Sequence, residues 1–445
     1  MIAPARLVSW RILLQIATTD AHSDDLLRAP EVDALSAPDR HLTTTLVLGT
    51  LRWQLALDAR IRPLLARPGG KLAPEVETAL RMGAYQLHYL DRVPVHAVLN
   101  DSVELVKQSR ERGAAGMVNA ILRKVAAQSR DAIDRHQPSV SAQQIAAATA
   151  HPLWMVERWA ERYGLAAADA ICWWNQTPPP ISLREESEKT DLSGLEVEPG
   201  ALLSSARRLV RGDLGPALRA GHVRVQDEGS QLVAEIAAAA ATPAAGKVLD
   251  ACAAPGGKTE NLTARLPAAE ITALDVSRKR LDTMRALLRE DISARLRFQV
   301  GDAAALRLEP DYALILCDVP CSGTGTIARN PEIRFRVDEP ELARQHGRQT
   351  AILQAALAGL APAGRLVYSS CSLEVEENES VVEETLKKLP GFQILPIAPV
   401  LDQLASIGVV TAAGRATLAT DGPFLRTIPG LHPCDGFFAA LLARR

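Results

Sequence analysis

One segment of the sequence is suited to binding a ligand at the end of a buried strand. LDACAAPGGKTENL (249–262) follows an apolar run, continues through small residues and proline, and enters a predicted helix near Lys258. Small residues let a ligand approach the backbone closely, and a helix start offers free N–H groups to an anionic part of that ligand. Asp275 ends the next predicted strand, 19 residues after Gly256. A doubly wound fold places a carboxylate there to bind ribose hydroxyls, so we expect a nucleoside-type cofactor.

Two further segments place a cysteine just beyond a predicted strand. Cys321 lies in DVPCSGTGT (318–326) and Cys371 in YSSCSLEVEEN (368–378), so both thiols are expected beside the cofactor. Such a pair predicts covalent chemistry. A thiolate that adds to C6 of a cytosine makes the ring an enamine, whose C5 can attack an electrophilic methyl group. A second acid–base group must then remove the C5 proton so that the cysteine can leave.

The residues by themselves do not assign the two cysteines to these two roles. Cys371 comes just before a predicted helix, whose N-terminus favours a thiolate. Glu374, Glu376 and Glu377 follow at once and oppose that charge. A nearby cation, from a sulfonium cofactor or from a lysine, would favour the thiolate.

Other interpretations of these motifs are weaker. Cys172, Cys317 and Cys434 are interpreted as small buried hydrophobic residues. Cys317 and Cys321 are separated by three residues rather than two, and no second close pair exists, so a zinc site is disfavoured and no metal is expected. A Walker A loop would need glycine at Cys252, which argues against a nucleoside triphosphatase, and the lack of GxGxxG argues against a nicotinamide-dependent oxidoreductase.

Alternating strands and helices are predicted to position these motifs. Strand candidates are 247–252, 270–275, 296–302, 312–318, 364–370, 392–397 and 437–444. Helix candidates between them are 258–266, 278–291, 341–360 and 376–389. Strands separated by helices imply a mostly parallel, seven-stranded sheet covered on both faces. We therefore predict an α/β, Rossmann-like domain at 241–445.

Two other domains are predicted ahead of this sheet. Residues 1–140 form an all-helical bundle, because apolar residues recur at helical spacing in 5–16, 40–61, 74–90, 95–108 and 117–128. Residues 141–240 hold the end of a connector (129–150) and a small α+β module, with a helix at 151–164 and strands at 181–185 and 221–227.

Composition and charge set the remaining limits. The chain has 445 residues, of which 47% are hydrophobic, and six cysteines, a pattern typical of a globular protein in a reducing compartment. The net charge of −2 argues against indiscriminate nucleic-acid coating, but residues 1–140 hold 18 lysines and arginines against 15 acidic residues. The apolar N-terminal stretch is interrupted by Arg11 and Gln15, which indicates an amphipathic helix rather than a signal peptide. We expect a cytoplasmic protein without membrane contact.

The three motifs together closely resemble the RNA cytosine-C5 methyltransferase family. The shared features are the PGGKT loop, the D-x-P-C-S-x-T-G segment and the C-S-x-x-x-x-E-N segment, in this order and spacing. The resemblance covers residues 151–445. VPVHAVLNDSVELVKQ (93–108) followed by MVNAILRKV (117–125) is similar to the NusB RNA-binding domain. A NusB-like bundle ahead of this catalytic domain resembles the bacterial methyltransferases of small-subunit (16S) ribosomal RNA.

The resemblance implies a class I methyltransferase that uses S-adenosylmethionine. The cofactor site would be lined by Cys252, Ala253, Ala254, Pro255, Gly256, Gly257 and Lys258. Asp275 would hold the ribose hydroxyls, Asp302 would lie near the adenine, and Asp318 would sit between cofactor and target base. Cys371 would be the nucleophile and Cys321 would assist product release. DNA enzymes of the same chemistry take the nucleophile from a Pro-Cys segment, so Cys321 remains the rival nucleophile.

The expected partner is ribosomal RNA, bound in part by the bundle. Lys107, Arg123 and Lys124 are candidate phosphate contacts, and the alternative is that they form a solvated helix face. Transfer RNA and large-subunit RNA are alternative substrates, and an inactive RNA-binding protein is the alternative of another class. Nothing in the sequence demands an oligomer, so we expect a monomer.

Overall fold

The computed structural model describes residues 2–129, 140–185, 191–241, 246–418 and 420–445. The chain divides into two compact units, one of Met1–Pro178 with Ile327–Arg336 and one of Pro179–Thr326 with Val337–Arg445. The segment Ile327–Arg336 therefore belongs to the first unit, although it directly follows the Cys321 segment in the sequence.

The first unit is helical in its described residues. Its helices are α1 (Pro4–Thr18), α2 (Ser23–Leu27), α3 (Pro30–Asp33), α4 (Ala37–Arg52), α5 (Gln54–Ile61), α6 (Pro74–Tyr89), α7 (Val95–Lys107), α8 (Ala115–Ala126), α9 (Ala142–Ala148), α10 (Leu153–Tyr163) and α11 (Leu165–Gln176). The apolar faces of the first eight meet in one core, where Leu46, Leu80, Leu105 and Leu122 are fully buried. The predicted helical bundle is confirmed.

The stretch 40–61, predicted as one helix, is two helices that meet at Trp53. The carbonyl oxygen of Arg52 accepts hydrogen bonds from Gln176 Nε2 and Arg334 Nη1, both at 3.0 Å. These distant side chains satisfy a carbonyl that a continuous helix would pair internally. Periodicity in the local sequence cannot reveal such partners. The helices α2 and α3 were not predicted because four or five residues are too few to show a helical period.

Part of the predicted connector is also helical. Helix α9 lies within 129–150, and the side chain of Ser141 caps it by accepting a hydrogen bond from the Gln144 amide. Residues 130–139 lie outside the described residues. The helix predicted at 151–164 is α10, whose apolar face buries Met155 and Trp159.

The second unit begins with a small antiparallel sheet. Its strands are β1 (Ser182–Glu185), β2 (Glu196–Pro199), β3 (Ala206–Arg211) and β4 (Val223–Val225), in the order β2-β3-β1-β4, and α12 (Gly215–Arg219) precedes β4. The predicted strands at 181–185 and 221–227 contain β1 and β4. Strands β2 and β3 were missed because both are largely exposed and rich in charge, so they lack a buried apolar alternation.

A large sheet with covering helices forms the rest of the second unit. Its elements are α13 (Glu228–Ala240), β5 (Lys247–Asp250), α14 (Gly257–Arg265), β6 (Glu270–Asp275), α15 (Arg278–Leu287), α16 (Glu290–Ser293), β7 (Leu296–Val300), β8 (Tyr312–Asp318), α17 (Glu339–Ala358), β9 (Leu360–Ser370), α18 (Glu379–Lys388), β10 (Phe392–Leu395), α19 (Ala398–Ser406), α20 (Ala412–Thr417), β11 (Thr420–Asp421), β12 (Phe424–Thr427) and β13 (Phe437–Arg444). Leu249, Ile315, Leu316 and Leu366 are buried in its central strands, as expected for a sheet covered on both faces.

The strand order of this sheet is β11-β12-β13-β9-β8-β5-β6-β7, and β10 pairs with β13. The pairs formed among β7, β6, β5, β8 and β9 are parallel, whereas all pairs made by β13 and β12, including that of β13 with β9, are antiparallel. The predicted mostly parallel, Rossmann-like sheet is confirmed. In the described residues it has nine strands instead of seven, because β11 and β12 add a hairpin too short to show a strand pattern.

The register of the parallel strands brings the motifs to one edge. Asp318, the last residue of β8, pairs with Ser369 at the end of β9. Asp250, at the end of β5, pairs with Leu316 of β8, so the cofactor loop leaves the sheet beside the Cys321 segment. Among the described residues, none of the helices combines the length and apolar character that crossing a membrane requires.

Candidate active site

The loop after β5 is shaped by close contacts with the neighbouring strands. The amide of Ala253 donates to the carbonyl of Leu274 at 2.8 Å, which draws the loop alongside β6. Gly256 precedes α14 with a φ of +107°, and a Cβ there would lie 2.7 Å from Cγ of Met284. A residue without a side chain is therefore required where the loop turns into the helix.

Two carboxylates follow the next strands at this edge. Asp275 is buried, and its Oδ1 accepts from the amide of Ser277 at 2.9 Å. Arg280 lies 3.4 Å from its other oxygen. Asp302 is exposed, and its Oδ1 accepts a hydrogen bond from the amide of Ala304 at 3.0 Å. Both carboxylates still have oxygen lone pairs that can accept hydrogen bonds from a ligand at this edge of the sheet.

Asp318 is held from two sides. Its Oδ2 lies 2.7 Å from Nζ of Lys258, which comes from the first turn of α14. Its Oδ1 accepts a hydrogen bond from the hydroxyl of Ser369 at 2.7 Å. The loop after β5 and strand β9 thus fix one carboxylate at the end of β8.

The sulfur atoms of Cys321 and Cys371 are 3.2 Å apart. Both side chains are partly buried, and neither takes part in a disulfide. The two cysteines are 50 residues apart in the sequence, and the adjacent ends of β8 and β9 bring them together.

Several contacts join the two loops that carry these cysteines. The amide of Gly325 donates to the carbonyl of Cys371 at 2.9 Å, and a Cβ on Gly325 would lie 2.8 Å from that carbonyl oxygen. The amide of Leu373 donates to the hydroxyl of Thr324 at 2.9 Å. The loops therefore form one interlocked structure, which restricts movement of one sulfur relative to the other.

One pocket of about 190 Å³ collects most of the predicted site residues. It is lined by Cys252, Ala254, Asp275, Asp302, Asp318, Cys321 and Cys371, together with Ala251, Val276, Arg280, Ala303, Val319, Pro320, Arg348 and Ile352. The predicted residues Ala253, Pro255, Gly256, Gly257 and Lys258 are not among its lining residues. Lys258 reaches the site through its ion pair with Asp318.

Three regions of the chain match known protein families. Residues 239–443 match the family of 16S rRNA methyltransferases RsmB/F, residues 3–127 match the NusB family, and residues 151–195 match the ferredoxin-like domain of RsmF/B-like methyltransferases. A probable ribosomal RNA small subunit methyltransferase B of Bacillus subtilis is 32% identical over 403 residues, which cover 87% of this chain and 89% of the relative. The chain belongs to the RsmB/F methyltransferase family.

Further relatives extend this similarity. The ribosomal RNA small subunit methyltransferase B of Xanthomonas campestris is 31% identical and covers 99% of this chain and 97% of its own length. The crystal structure of the protein PH0851 has the same fold over the whole chain, with a TM-score of 0.79, 20% identity and 99% of that protein covered. A methyltransferase homologue from Pyrococcus horikoshii shares the fold over 69% of this chain and 100% of its own, with a TM-score of 0.52 and 24% identity.

Membership of the RsmB/F family makes the chain an S-adenosylmethionine-dependent RNA methyltransferase. The resemblance to bacterial ribosomal RNA methyltransferases with a NusB-like bundle is confirmed. The predicted fold class is confirmed: a NusB-like helical region, a ferredoxin-like module and a methyltransferase domain with a mostly parallel sheet.

The electrostatics of this RsmB/F pocket distinguish its cysteines. The hydrogen bond with Cys371 raises the pKa of the Cys321 thiol well above its ordinary value, and burial and the carboxylate of Glu377 add to the rise. Burial first, and then the carboxylates around it, raise the pKa of Cys252. Both groups therefore favour the protonated thiol.

Lys258 is the lysine near Cys371 that the sequence could not identify. Burial opposes its charge, but Asp318 and then Cys371 raise the pKa of Lys258 above its ordinary value. The ammonium group of Lys258 therefore places a positive charge near Cys371.

The other cysteines and the basic side chains of the bundle have different surroundings. Cys172, Cys317 and Cys434 are fully buried, as predicted for small hydrophobic residues. Lys107 and Arg123 line one groove of about 780 Å³ between α7 and α8, and Lys124 is exposed on α8 but is not among the lining residues. A role of these three side chains in RNA binding stays a prediction.

Sequence reasoning missed two buried residues that support the cysteine loops. Gln349 of α17 donates through Nε2 to the carbonyl of Pro320 at 2.9 Å and to the carboxylate of Glu377 at 3.0 Å. Glu377 lies in the C-S-x-x-x-x-E-N segment, which could have drawn attention to it, but it was considered there for its charge alone. Gln349 carries no comparable signal, because a glutamine on a long amphipathic helix is usually a surface residue.

Proposed function

We propose that this chain methylates carbon 5 of a cytosine in small-subunit ribosomal RNA, with Cys371 as covalent nucleophile and Cys321 as the group that assists product release. The observation that carries the proposal is the 3.2 Å separation of the two sulfurs at a pocket that also holds Asp275, Asp302 and Asp318. Direct transfer to a nucleophilic heteroatom would need no thiol. A reaction through C6 of a pyrimidine needs one thiolate and one further acid–base group.

The residues at the sheet edge fit S-adenosylmethionine. Buried Asp275 has the acceptors that ribose hydroxyls require, Asp302 would lie near the adenine, and the small residues from Cys252 to Gly257 leave the backbone open to close approach. The first turn of α14 offers backbone N–H groups to a carboxylate. When bound, this cofactor supplies an electrophilic methyl group.

The remaining chemistry falls to the side chains. The Cys371 thiolate would bond to C6, and the electron pair of the C5–C6 double bond would make C5 the nucleophile toward the methyl group, whose bond to the donor sulfur would break with its electron pair left on that sulfur. Once Cys371 is bonded to C6 it carries no charge, so one cause of the raised pKa of Cys321 is removed and loss of the Cys321 proton becomes more favourable. The Cys321 thiolate then accepts the C5 proton, the C5–C6 double bond re-forms, and the electron pair of the C6–S bond returns to Cys371.

Asp318 links the start of α14 to the end of β9. It pairs with Lys258 on one side and Ser369 on the other, two residues before Cys371. Asp318 lines the pocket, and we propose that it lies between cofactor and target base. A base must leave its stack to enter such a pocket, so the target cytosine is expected in a loop or a splayed strand.

The choice of small-subunit ribosomal RNA follows from the match to the NusB family and from the names of the relatives. Transfer RNA and large-subunit RNA would leave the chemistry unchanged. We also propose that S-adenosylmethionine is the methyl donor, that the protein acts as a monomer and that it is located in the cytoplasm.

The test is transfer of labelled methyl from S-adenosylmethionine to unmodified small-subunit RNA, with large-subunit RNA and transfer RNA in parallel, followed by nucleoside analysis. We expect label in 5-methylcytidine from the small-subunit RNA. Label at another atom would overturn the chemistry. Label in another RNA would overturn the substrate assignment and leave the role of the two cysteines intact.

A further inference from the structure

We propose that Glu377 is a positioning residue of the reaction: its carboxylate holds the Cys321 loop against Cys371 and so gives the two sulfurs different roles. This inference rests on the two-cysteine chemistry proposed above. The proposal concerns a residue that would touch neither the substrate nor the cofactor but would act through Cys321.

The carboxylate of Glu377 is attached to the residue that follows Cys321. Its Oε1 accepts from the backbone amide of Ser322 at 2.7 Å, and its Oε2 accepts from the hydroxyl of the same serine. Glu377 is fully buried, so these hydrogen bonds are shielded from water and are stronger than similar bonds at the surface. Two bonds from one residue fix the orientation of the loop as well as its distance.

Further contacts fix Glu377 itself and the residue before Cys321. The hydroxyl of Tyr368 donates to the carbonyl of Glu377 at 2.6 Å, which ties its backbone to β9. Nε2 of Gln349 bridges the Glu377 carboxylate, at 3.0 Å, and the carbonyl of Pro320, at 2.9 Å. Cys321 is thus held on both sides by one buried network that ends at Glu377.

The charge of Glu377 also acts on Cys321. The titratable and charged groups around Cys321 and its pocket are Cys371, Glu377, Tyr368, Lys258, Asp318, Arg348, Cys252, Cys317, Asp275, Asp302 and Arg280. After the hydrogen bond with Cys371 and the effects of burial and of the Cys371 charge, the Glu377 carboxylate adds to the rise in the pKa of Cys321. The network therefore favours the protonated thiol at Cys321, and Lys258 places a positive charge near Cys371.

Two substitutions separate position from charge. Glu377→Gln keeps an oxygen for the Ser322 amide and for Gln349, and its amide nitrogen can donate to the Ser322 hydroxyl, but the charge is removed. Glu377→Ala removes both. Glu383→Gln, at an exposed position of α18, removes the same charge outside the network and is the matched control.

The first readout is thiol reactivity, which needs neither RNA nor cofactor. The full-length protein is treated with iodoacetamide over a series of pH values, and labelling of the Cys321 and Cys371 peptides is measured by mass spectrometry. In wild type we expect Cys321 to react only at high pH, because its pKa is raised. In Glu377→Gln the midpoint for Cys321 should move to lower pH, because the opposing negative charge is gone, while Glu383→Gln should match wild type.

The second readout is formation of 5-methylcytidine. Glu377→Ala should lose roughly ten-fold or more in kcat with a small change in KM, since positioning a general acid–base group contributes about 100-fold or more. Glu377→Gln, which keeps the hydrogen bonds, should lose less. An unchanged Cys321 midpoint in Glu377→Gln, relative to Glu383→Gln, would overturn the inference even if Glu377→Ala fails to fold. Absence of 5-methylcytidine with wild type would instead refute the proposed function, and the alkylation result would still decide the role of Glu377.

Discussion

The methyltransferase pocket and the α7–α8 groove both carry residues that the sequence suggested for RNA or cofactor, but the two regions hold them differently. In the pocket, Asp318 forms an ion pair with Lys258 from α14 and accepts a hydrogen bond from Ser369 of β9. In the groove, Lys107 pairs with Glu104 at 2.6 Å and Arg123 with Asn119 at 3.3 Å, each within its own helix. Fixed contacts between distant elements characterise the first region, and local contacts on exposed helices characterise the second.

This difference follows from what each region has to do. Covalent chemistry requires reacting atoms within a few tenths of an ångström of their best positions, so its groups must be held by several elements at once. Attraction between a basic side chain and phosphate tolerates movement, because it depends on charge density along the backbone more than on one geometry. A substitution in the pocket should therefore affect the rate of the reaction, and one in the groove should affect the affinity for RNA.

The largest effect is expected at Cys371. Cys371→Ala should lower methyl transfer by roughly a thousand-fold or more, because no thiolate can then add to C6. Cys321→Ala should also stop turnover, but it should accumulate a covalent protein–RNA complex that survives denaturing electrophoresis.

Cys172→Ala, which alters a buried cysteine of the helical unit, is the control and should retain activity. Covalent complex in Cys371→Ala, and none in Cys321→Ala, would exchange the two roles. Equal small losses of activity in both variants would contradict the contrast between the pocket and the groove, because neither cysteine would then be essential for the rate of the reaction.

A smaller effect is expected from the groove. The double variant Lys107→Ala, Arg123→Ala should raise KM for RNA several-fold and leave kcat unchanged. If both side chains bind phosphates of a single strand, the salt dependence of log affinity should fall by about 0.7 for each cationic side chain that is removed.

Lys388 provides the matched control for this measurement. Its side chain is 56% exposed and pairs with Glu384, much as the side chain of Lys107 is 52% exposed and pairs with Glu104. Lys388→Ala should leave both the affinity and the salt dependence as in wild type. A fall in kcat at constant KM in the double variant would show that the groove affects the chemistry.

The smallest effect concerns stability beneath the pocket. Burial raises the pKa of Asp250 to about 7, above the ~3.9 of an unfolded aspartate. Between these pH values the native state holds a proton that the unfolded chain has lost, so the free energy of unfolding falls as pH rises from about 4 to about 7. Asp250→Asn removes this fall, and the decrease in Tm between pH 5 and pH 8 should be smaller than in wild type by a few degrees.

Asp311→Asn, at the exposed carboxylate paired with Lys247, serves as the control for thermal unfolding at the two pH values. It should reproduce the wild-type decrease. If Asp250→Asn also reproduces it, Asp250 is ionised in the folded protein at these pH values, and burial does not raise its pKa.

Local patterns in the sequence were enough to predict the fold class and to place the candidate cysteines and carboxylates just after strand ends. Strand and helix periods are local properties, so the helices α1, α6, α7 and α8 and the parallel strands from β5 to β9 could be predicted close to their observed places. The motifs around Cys252, Cys321 and Cys371 follow predicted strands, and parallel strands end at one edge. The exceptions are elements without a local period, such as β2, β3 and the short helices α2 and α3.

Only the tertiary structure shows which particular side chains contact one another. The approach of Cys321 to Cys371, the pairing of Lys258 with Asp318 and the bridge made by Gln349 join residues from 28 to 60 positions apart. No pattern along the chain encodes these distances, because they depend on strand register, loop path and side-chain rotamer together. The sequence therefore identified the chemical groups, and packing of the sheet edge determined which cation lies near Cys371 and which carboxylate supports Cys321.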